Sequence, residues 1–243
     1  MLPIRDHNPS GRTPYVTWLL MVANIGIFLS YGFNDPEAIY RAVYVDWALI
    51  PARISFGEGY YTFITSQFLH GGWMHLAGNM LFLWIFGDNI EDELGHMRYL
   101  GFYLLSGIAA GLLQYATGVD SRVPMVGASG AIAGVMGGYL LLFPKAKVDI
   151  FIFFIIFFRI FPIPAWIMLM LWFGMQFIGG ISADPNGGGV AYWAHAGGFI
   201  AGLVMIVPVW LARGAFGFWK RTDGHPPHPE ARYDLSRIPK VRR

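Results

Sequence analysis

Residues 128–143 read ASGAIAGVMGGYLLLF, and residues 190–211 read VAYWAHAGGFIAGLVMIVPVWL. Neither stretch carries an acidic or basic side chain, apart from one histidine in the second. About 20 such residues, wound as a helix, cross a hydrocarbon core of roughly 30 Å, so both stretches are expected to lie in lipid. Each places small residues at every fourth position: Gly130, Gly134 and Gly138 in the first, Ala194, Gly198 and Gly202 in the second. Positions four apart share one helical face, and a face of small residues lets two backbones approach closely in a bilayer.

The same pattern extends outward from these two stretches. The apolar runs Pro14–Phe33, Trp73–Phe86, Tyr99–Thr117 and Ile163–Ile181 read as four more spans, for six in all. The first is longer than a signal-peptide core and no small-residue cleavage site follows it, so it is expected to be retained. Between the first two spans, Asn34–Phe68 mixes charges with Trp47, Pro51, Phe56 and a Gly57-Glu58-Gly59 turn. That composition predicts a large interfacial first loop. Val148–Ile160 is apolar but short and holds Arg159, which predicts an interfacial segment leading into span five. Ser182–Gly189 is a turn-rich loop.

This reading divides the chain into a polar N-terminal segment (1–13), an all-α six-helix membrane domain (14–212) and a basic, Pro-rich tail (213–243) that is expected to be soluble or disordered. Composition agrees. Of the 243 residues, 55% are hydrophobic and only 13% are charged, where a soluble domain carries about a quarter. There is no cysteine, which removes thiol chemistry and disulfides. Of 17 basic residues, only Arg41, Arg53 and Arg122 fall outside if both termini are cytoplasmic, as the positive-inside rule favours.

Three clusters carry chemistry. Ser129, in Gly127-Ala128-Ser129-Gly130, opens span four, where free backbone N–H groups face any developing anion. His195, in Ala194-His195-Ala196-Gly197-Gly198, lies early in span six. An imidazole in hydrocarbon is costly and usually faces the bundle interior or a wet cavity. Ser129 lies 15 positions before Pro144 and His195 lies 18 before Arg213, or roughly 22 and 27 Å above the inner boundary at about 1.5 Å per residue. Both therefore sit in the outer half of the bilayer, and the small-residue faces allow a serine–imidazole hydrogen bond. His75 and Asn79 in span two share a helical face at similar depth and are candidates to donate to an oxyanion. Each also has a structural reading as a helix-to-helix hydrogen bond. His70, His75 and His195 as a metal site is a weaker alternative, because no carboxylate or cysteine shares these faces.

The segments His75-Leu-Ala-Gly-Asn79, Gly127-Ala-Ser129-Gly130 and Ala194-His195-Ala-Gly-Gly198 resemble, in order and spacing, the motifs of the rhomboid intramembrane serine proteases. Phe68-Leu-His70-Gly-Gly-Trp-Met-His75 is similar to the family's second span. The resemblance implies a rhomboid-like six-helix core and a Ser129–His195 dyad without a third acid. It implies an oxyanion site of His75, Asn79 and the Ser129 N–H, a Ser182–Gly189 cap, and membrane-protein substrates cut in or near their transmembrane segments. Span five is implied to tilt for substrate entry. Two departures stand out: Ala133 sits where many members carry an aromatic that packs on the histidine, and Tyr60-Tyr61-Thr62-Phe63 where others have Trp-Arg. A water-filled cavity is expected near Gly72, Pro124 and Asn186.

No metal, cofactor or nucleic acid is expected as a partner; the lipid bilayer is. The N-terminus lacks a transit-peptide pattern, which fits a bacterial plasma (inner) membrane. The rival readings are a non-catalytic rhomboid-like chaperone and a small-molecule or ion transporter. The transporter predicts internal inverted repeats, and none is visible.

Overall fold

A computed structural model of the chain describes residues 2–154, 157–184 and 188–231. Among these, six longer helices form the bundle: α1 (Tyr15–Tyr31), α2 (Trp73–Leu94), α3 (His96–Ala116), α4 (Ser129–Leu142), α5 (Ala165–Ser182) and α6 (Tyr192–Ala212). A short α7 (Phe216–Thr222) follows.

α4 is the axis of the bundle. Every residue from Gly130 to Tyr139 is buried. The seam with α6 is closed by glycine: a β-carbon on Gly198 would overlap the Gly130 carbonyl, and one on Gly202 would overlap the Gly134 carbonyl. Hydrocarbon adds no hydrophobic drive between helices, so this close backbone contact supplies dispersion energy that larger side chains would forfeit. At 14 residues, α4 is about 21 Å long. Being enclosed by its neighbours, it need not match the bilayer thickness.

By length and hydropathy, α3, α5 and α6 can each cross a membrane. A fourth candidate is α1 taken together with the helical turns of Pro36–Trp47, against which it bends by 118°. The six expected spans correspond in chain order to helices α1–α6, but only three of these helices, or four with the bent pair, qualify as spans by length and hydropathy. α4 is too short, and α2 carries the acidic cluster at its C-terminal end. Glu91 of that cluster is buried and accepts the Val16 and Thr17 amides at 2.8 Å and the Thr17 hydroxyl at 2.7 Å. It caps the first turn of α1 from a neighbouring helix, satisfying amides that have no intrahelical partner.

Two expectations are corrected. The architecture is not purely helical. β1 (Leu2–Asp6), β2 (Lys147–Phe154) and β3 (Phe157–Pro164) form an antiparallel sheet in the order β1-β2-β3. The run read as an interfacial segment is a hairpin, and the N-terminal residues supply its third strand. A short, continuous apolar run fits a strand and a helix equally by periodicity; pairing to β1 decides it. Asp149, buried in β2, is bridged by Arg5 Nε at 2.6 Å and His7 Nε2 at 2.8 Å. Burial pushes its carboxyl up, but these bonds outweigh it and hold it below the usual carboxylate range.

The tail is the second correction. Up to residue 231 it packs on the end of the bundle formed by the C-termini of α2 and α4. Phe218 is buried, Trp219 Nε1 donates to the Leu141 carbonyl at 2.9 Å, and Arg213 pairs with Glu93. The aromatic residues of α7 anchor a segment whose overall composition reads as solvated. Residues 232–243 lie outside the described residues.

One titration follows from this end of the molecule. Burial, reinforced by the Asp88 carboxylate, pushes the Asp6 carboxyl up to about 8, against hydrogen bonds from Asn8 and Tyr139. The folded chain keeps a proton there that the unfolded chain releases near about pH 4. The resulting stabilisation is complete below that pH and is lost as pH rises through the folded value of about 8. Asp6→Asn is expected to narrow the drop in melting temperature between about pH 5 and about pH 8 in detergent. An unchanged drop contradicts the assignment.

Candidate active site

Ser129 is the first residue of α4. The loop before it is pinned: Leu49 and Met125 exchange backbone hydrogen bonds at 3.1 and 2.8 Å, and the Gly127 amide donates to the Ser66 carbonyl at 2.9 Å. Gly127 has φ +131°, a conformation that only glycine adopts readily. A β-carbon there would also lie 2.8 Å from His75 Cε1 and Nε2 and 3.4 Å from Ser129 Oγ. The His75 ring thus reaches the turn that presents the serine.

His195 is one turn into α6. Its Nε2 lies 2.8 Å from Ser129 Oγ, and its Nδ1 lies 2.8 Å from Gln176 Oε1 of α5. The Trp172 ring, also from α5, lies over the imidazole at 5.7 Å between centroids with an interplanar angle of 32°. Ala133 is fully buried in α4 and carries no aromatic ring. An aromatic ring on the histidine, which many family members carry one turn after the serine, comes here from Trp172 of α5.

The other expected donors lie beside the pair. The Gly71 amide donates to His75 Nδ1 at 3.3 Å. A neutral imidazole accepting at Nδ1 carries its proton on Nε2, on the ring edge that faces Gly127. Asn79 is buried, and its Nδ2 has no hydrogen-bond partner among the described residues. Ser129, His195, His75, Asn79 and Trp172 all line one cavity of about 650 Å³, and Pro124 lies on its wall. Gly71 lines it in place of the expected Gly72, and Asn186 lies outside the described residues. His70 is buried, and its ring meets that of His75 edge to face at 5.2 Å. Its backbone is held by the Tyr31 and Tyr44 hydroxyls, which donate to its carbonyl at 3.1 and 2.9 Å.

In the first loop, Tyr61 of the divergent Tyr60-Tyr61-Thr62-Phe63 stretch donates to the Asp46 carbonyl at 2.9 Å and lies 5.8 Å from the Arg53 guanidinium. The departure from Trp-Arg is thus absorbed in packing within the loop.

Gln176 escaped the motif reading. A signal was present, however: it is the one amide in the otherwise apolar helix AWIMLMLWFGMQFIGGIS. A buried amide in hydrocarbon requires a partner.

A bundle of apolar helices, three of them long and apolar enough to cross a membrane, encloses a hydroxyl–imidazole pair in a cavity; the class is that of an integral membrane protein. The chain belongs to the rhomboid family: the Rhomboid domain model matches residues 57–212. Among its relatives, Rhomboid-like protein 11, chloroplastic, of Arabidopsis thaliana is 32% identical over 54% of this chain and 42% of its own length. Rhomboid protein 1, mitochondrial, of Saccharomyces cerevisiae is 33% identical over 58% of this chain and 39% of its own. Rhomboid protease GluP of Bacillus subtilis is 29% identical over 84% of this chain and 37% of its own. The matches thus cover about two fifths of each relative's length.

Proposed function

We propose that this chain is an intramembrane serine endopeptidase whose nucleophile is Ser129 and whose general base is His195. One observation carries the reading: the 2.8 Å contact between Ser129 Oγ and His195 Nε2, inside a cavity within the helix bundle.

The chemistry follows serine-hydrolase logic. His195 Nε2 accepts the Ser129 proton as Oγ attacks the scissile carbonyl. The tetrahedral oxygen gains charge beside His75 Nε2–H, Asn79 Nδ2–H and the Ser129 amide at the start of α4. His195 then protonates the leaving amine, and water admitted through the cavity hydrolyses the acyl-enzyme. No cofactor or metal enters the scheme. The substrate is a membrane-anchored protein. Its helix must unwind near the cut, because intrahelical hydrogen bonds hide the peptide bond. Six spans with both termini cytoplasmic and a bacterial inner membrane complete the reading. The match to a Bacillus subtilis relative over 84% of the chain supports it.

The orphaned Asn79 donor supports the oxyanion assignment: a buried N–H without a partner costs about 1–3 kcal/mol in the resting state, and an oxyanion would supply the missing acceptor. Asn79→Ala and His75→Ala are each expected to lower kcat by about 10²–10³-fold. The change should fall mainly on kcat rather than KM, because the interaction forms in the transition state. The test is cleavage, in proteoliposomes, of a single-span substrate bearing a helix-breaking residue. Cleavage by the purified chain that persists in chelator and stops with a serine-directed phosphonate supports the reading. A folded protein that binds the substrate without cutting it would favour the non-catalytic alternative.

A further inference from the structure

Resting on the protease reading, we infer that Gln176 of α5 is a third member of the catalytic array, a positioning residue that sets the tautomer of His195. Three contacts in series make the case. Gln176 Nε2 donates to the Trp172 carbonyl one turn back, at 3.2 Å. That bond points Oε1 away from the carbonyl and toward His195, and Oε1 lies 2.8 Å from His195 Nδ1. An amide oxygen only accepts, so Nδ1 must carry the proton, and Nε2 is left with its lone pair facing Ser129 Oγ at 2.8 Å. The reversed amide would set two carbonyl oxygens against each other and offer Nδ1 an N–H donor. That arrangement would favour the tautomer that cannot accept a proton from serine.

Gln176 does the orienting work of the aspartate in soluble triads without a formal charge. A carboxylate at this depth carries a desolvation cost that an amide does not. The geometry also explains how a dyad of two helices is aligned. α4 and α6 bring serine and histidine together, but neither fixes the imidazole's rotation or tautomer. Both groups that do, Gln176 and the Trp172 ring, come from α5. Gln176 itself is buried, so no water competes freely for its oxygen.

The test uses the full chain in detergent, with histidine labelled by nitrogen-15 and His195 assigned by the resonances missing from His195→Ala. Wild type should show His195 protonated at Nδ1 near neutral pH. Gln176→Met keeps the side-chain length and removes the acceptor. It should shift His195 toward the other tautomer and lower kcat about 10- to 100-fold, less than losing the base outright, with little change in KM. Gln176→Glu restores an acceptor at the same reach and should recover most of the lost rate. A merely structural amide would leave the tautomer and the kcat-to-KM split unchanged while lowering the melting temperature. Wild-type His195 protonated at Nε2 overturns the inference even if Gln176→Met fails to fold. So does a folded Gln176→Met with wild-type kcat. If Ser129→Ala and His195→Ala cleave like wild type, the protease reading itself has failed instead.

Discussion

Ser129→Ala is expected to lower kcat for a membrane-anchored substrate by about 10⁶-fold, and His195→Ala by nearly as much. The double variant should be little worse than either single one, because nucleophile and base act as one unit. The argument is geometric. A serine hydroxyl is a poor nucleophile at neutral pH and gains reactivity only if its proton has somewhere to go during attack. Here the acceptor is His195 Nε2 at 2.8 Å. The residual rate should come from the oxyanion donors, which neither substitution touches. Initial rates of product appearance in proteoliposomes, with unfolding monitored in parallel, measure this. Additive losses, or appreciable cleavage by a folded Ser129→Ala, would contradict a shared role.

Gly202→Val is expected to destabilise the fold by about 3 kcal/mol or more, beyond the usual range for an inserted side chain. The added Cβ would meet the Gly134 carbonyl, and a backbone atom cannot rotate out of the way as a side chain would. The only relief is to separate α4 from α6, which also parts Ser129 from His195. Stability and activity should therefore fall together. Gly101→Ala in α3 is the control. A β-carbon there meets nothing within 4 Å, and replacing a helical glycine should stabilise by up to about 1 kcal/mol. Thermal unfolding in one detergent compares the two. Equal melting temperatures would mean that the seam does not hold the bundle.

The seam and the pair were legible because each rests on local rules. Glycines four apart mark a close helix contact, and a histidine in an apolar run calls for a polar partner. Depth counted from Pro144 and Arg213 was enough to bring Ser129 and His195 to one level. What stayed hidden depends on partners distant in sequence. Lys147–Pro164 becomes a hairpin because Leu2–Asp6 pairs with it, and nothing local separates its apolar run from a helix. Up to residue 231 the tail packs through Phe218 and Trp219, aromatic residues in a segment of otherwise basic composition. Six apolar runs were legible and became helices α1–α6, but α4 at 14 residues falls short of the usual spanning length. Trp172 and Gln176 lie on α5, outside all three motifs, and only their approach to His195 gives them a role.

The most direct measurement is covalent capture. The intact chain in detergent is treated with a fluorophosphonate at neutral pH, and the modified peptide is located by mass spectrometry. The account predicts a single adduct on Ser129, lost in a folded His195→Ala. Adducts spread over other serines, or labelling of Ser129 that is indifferent to His195, would contradict it.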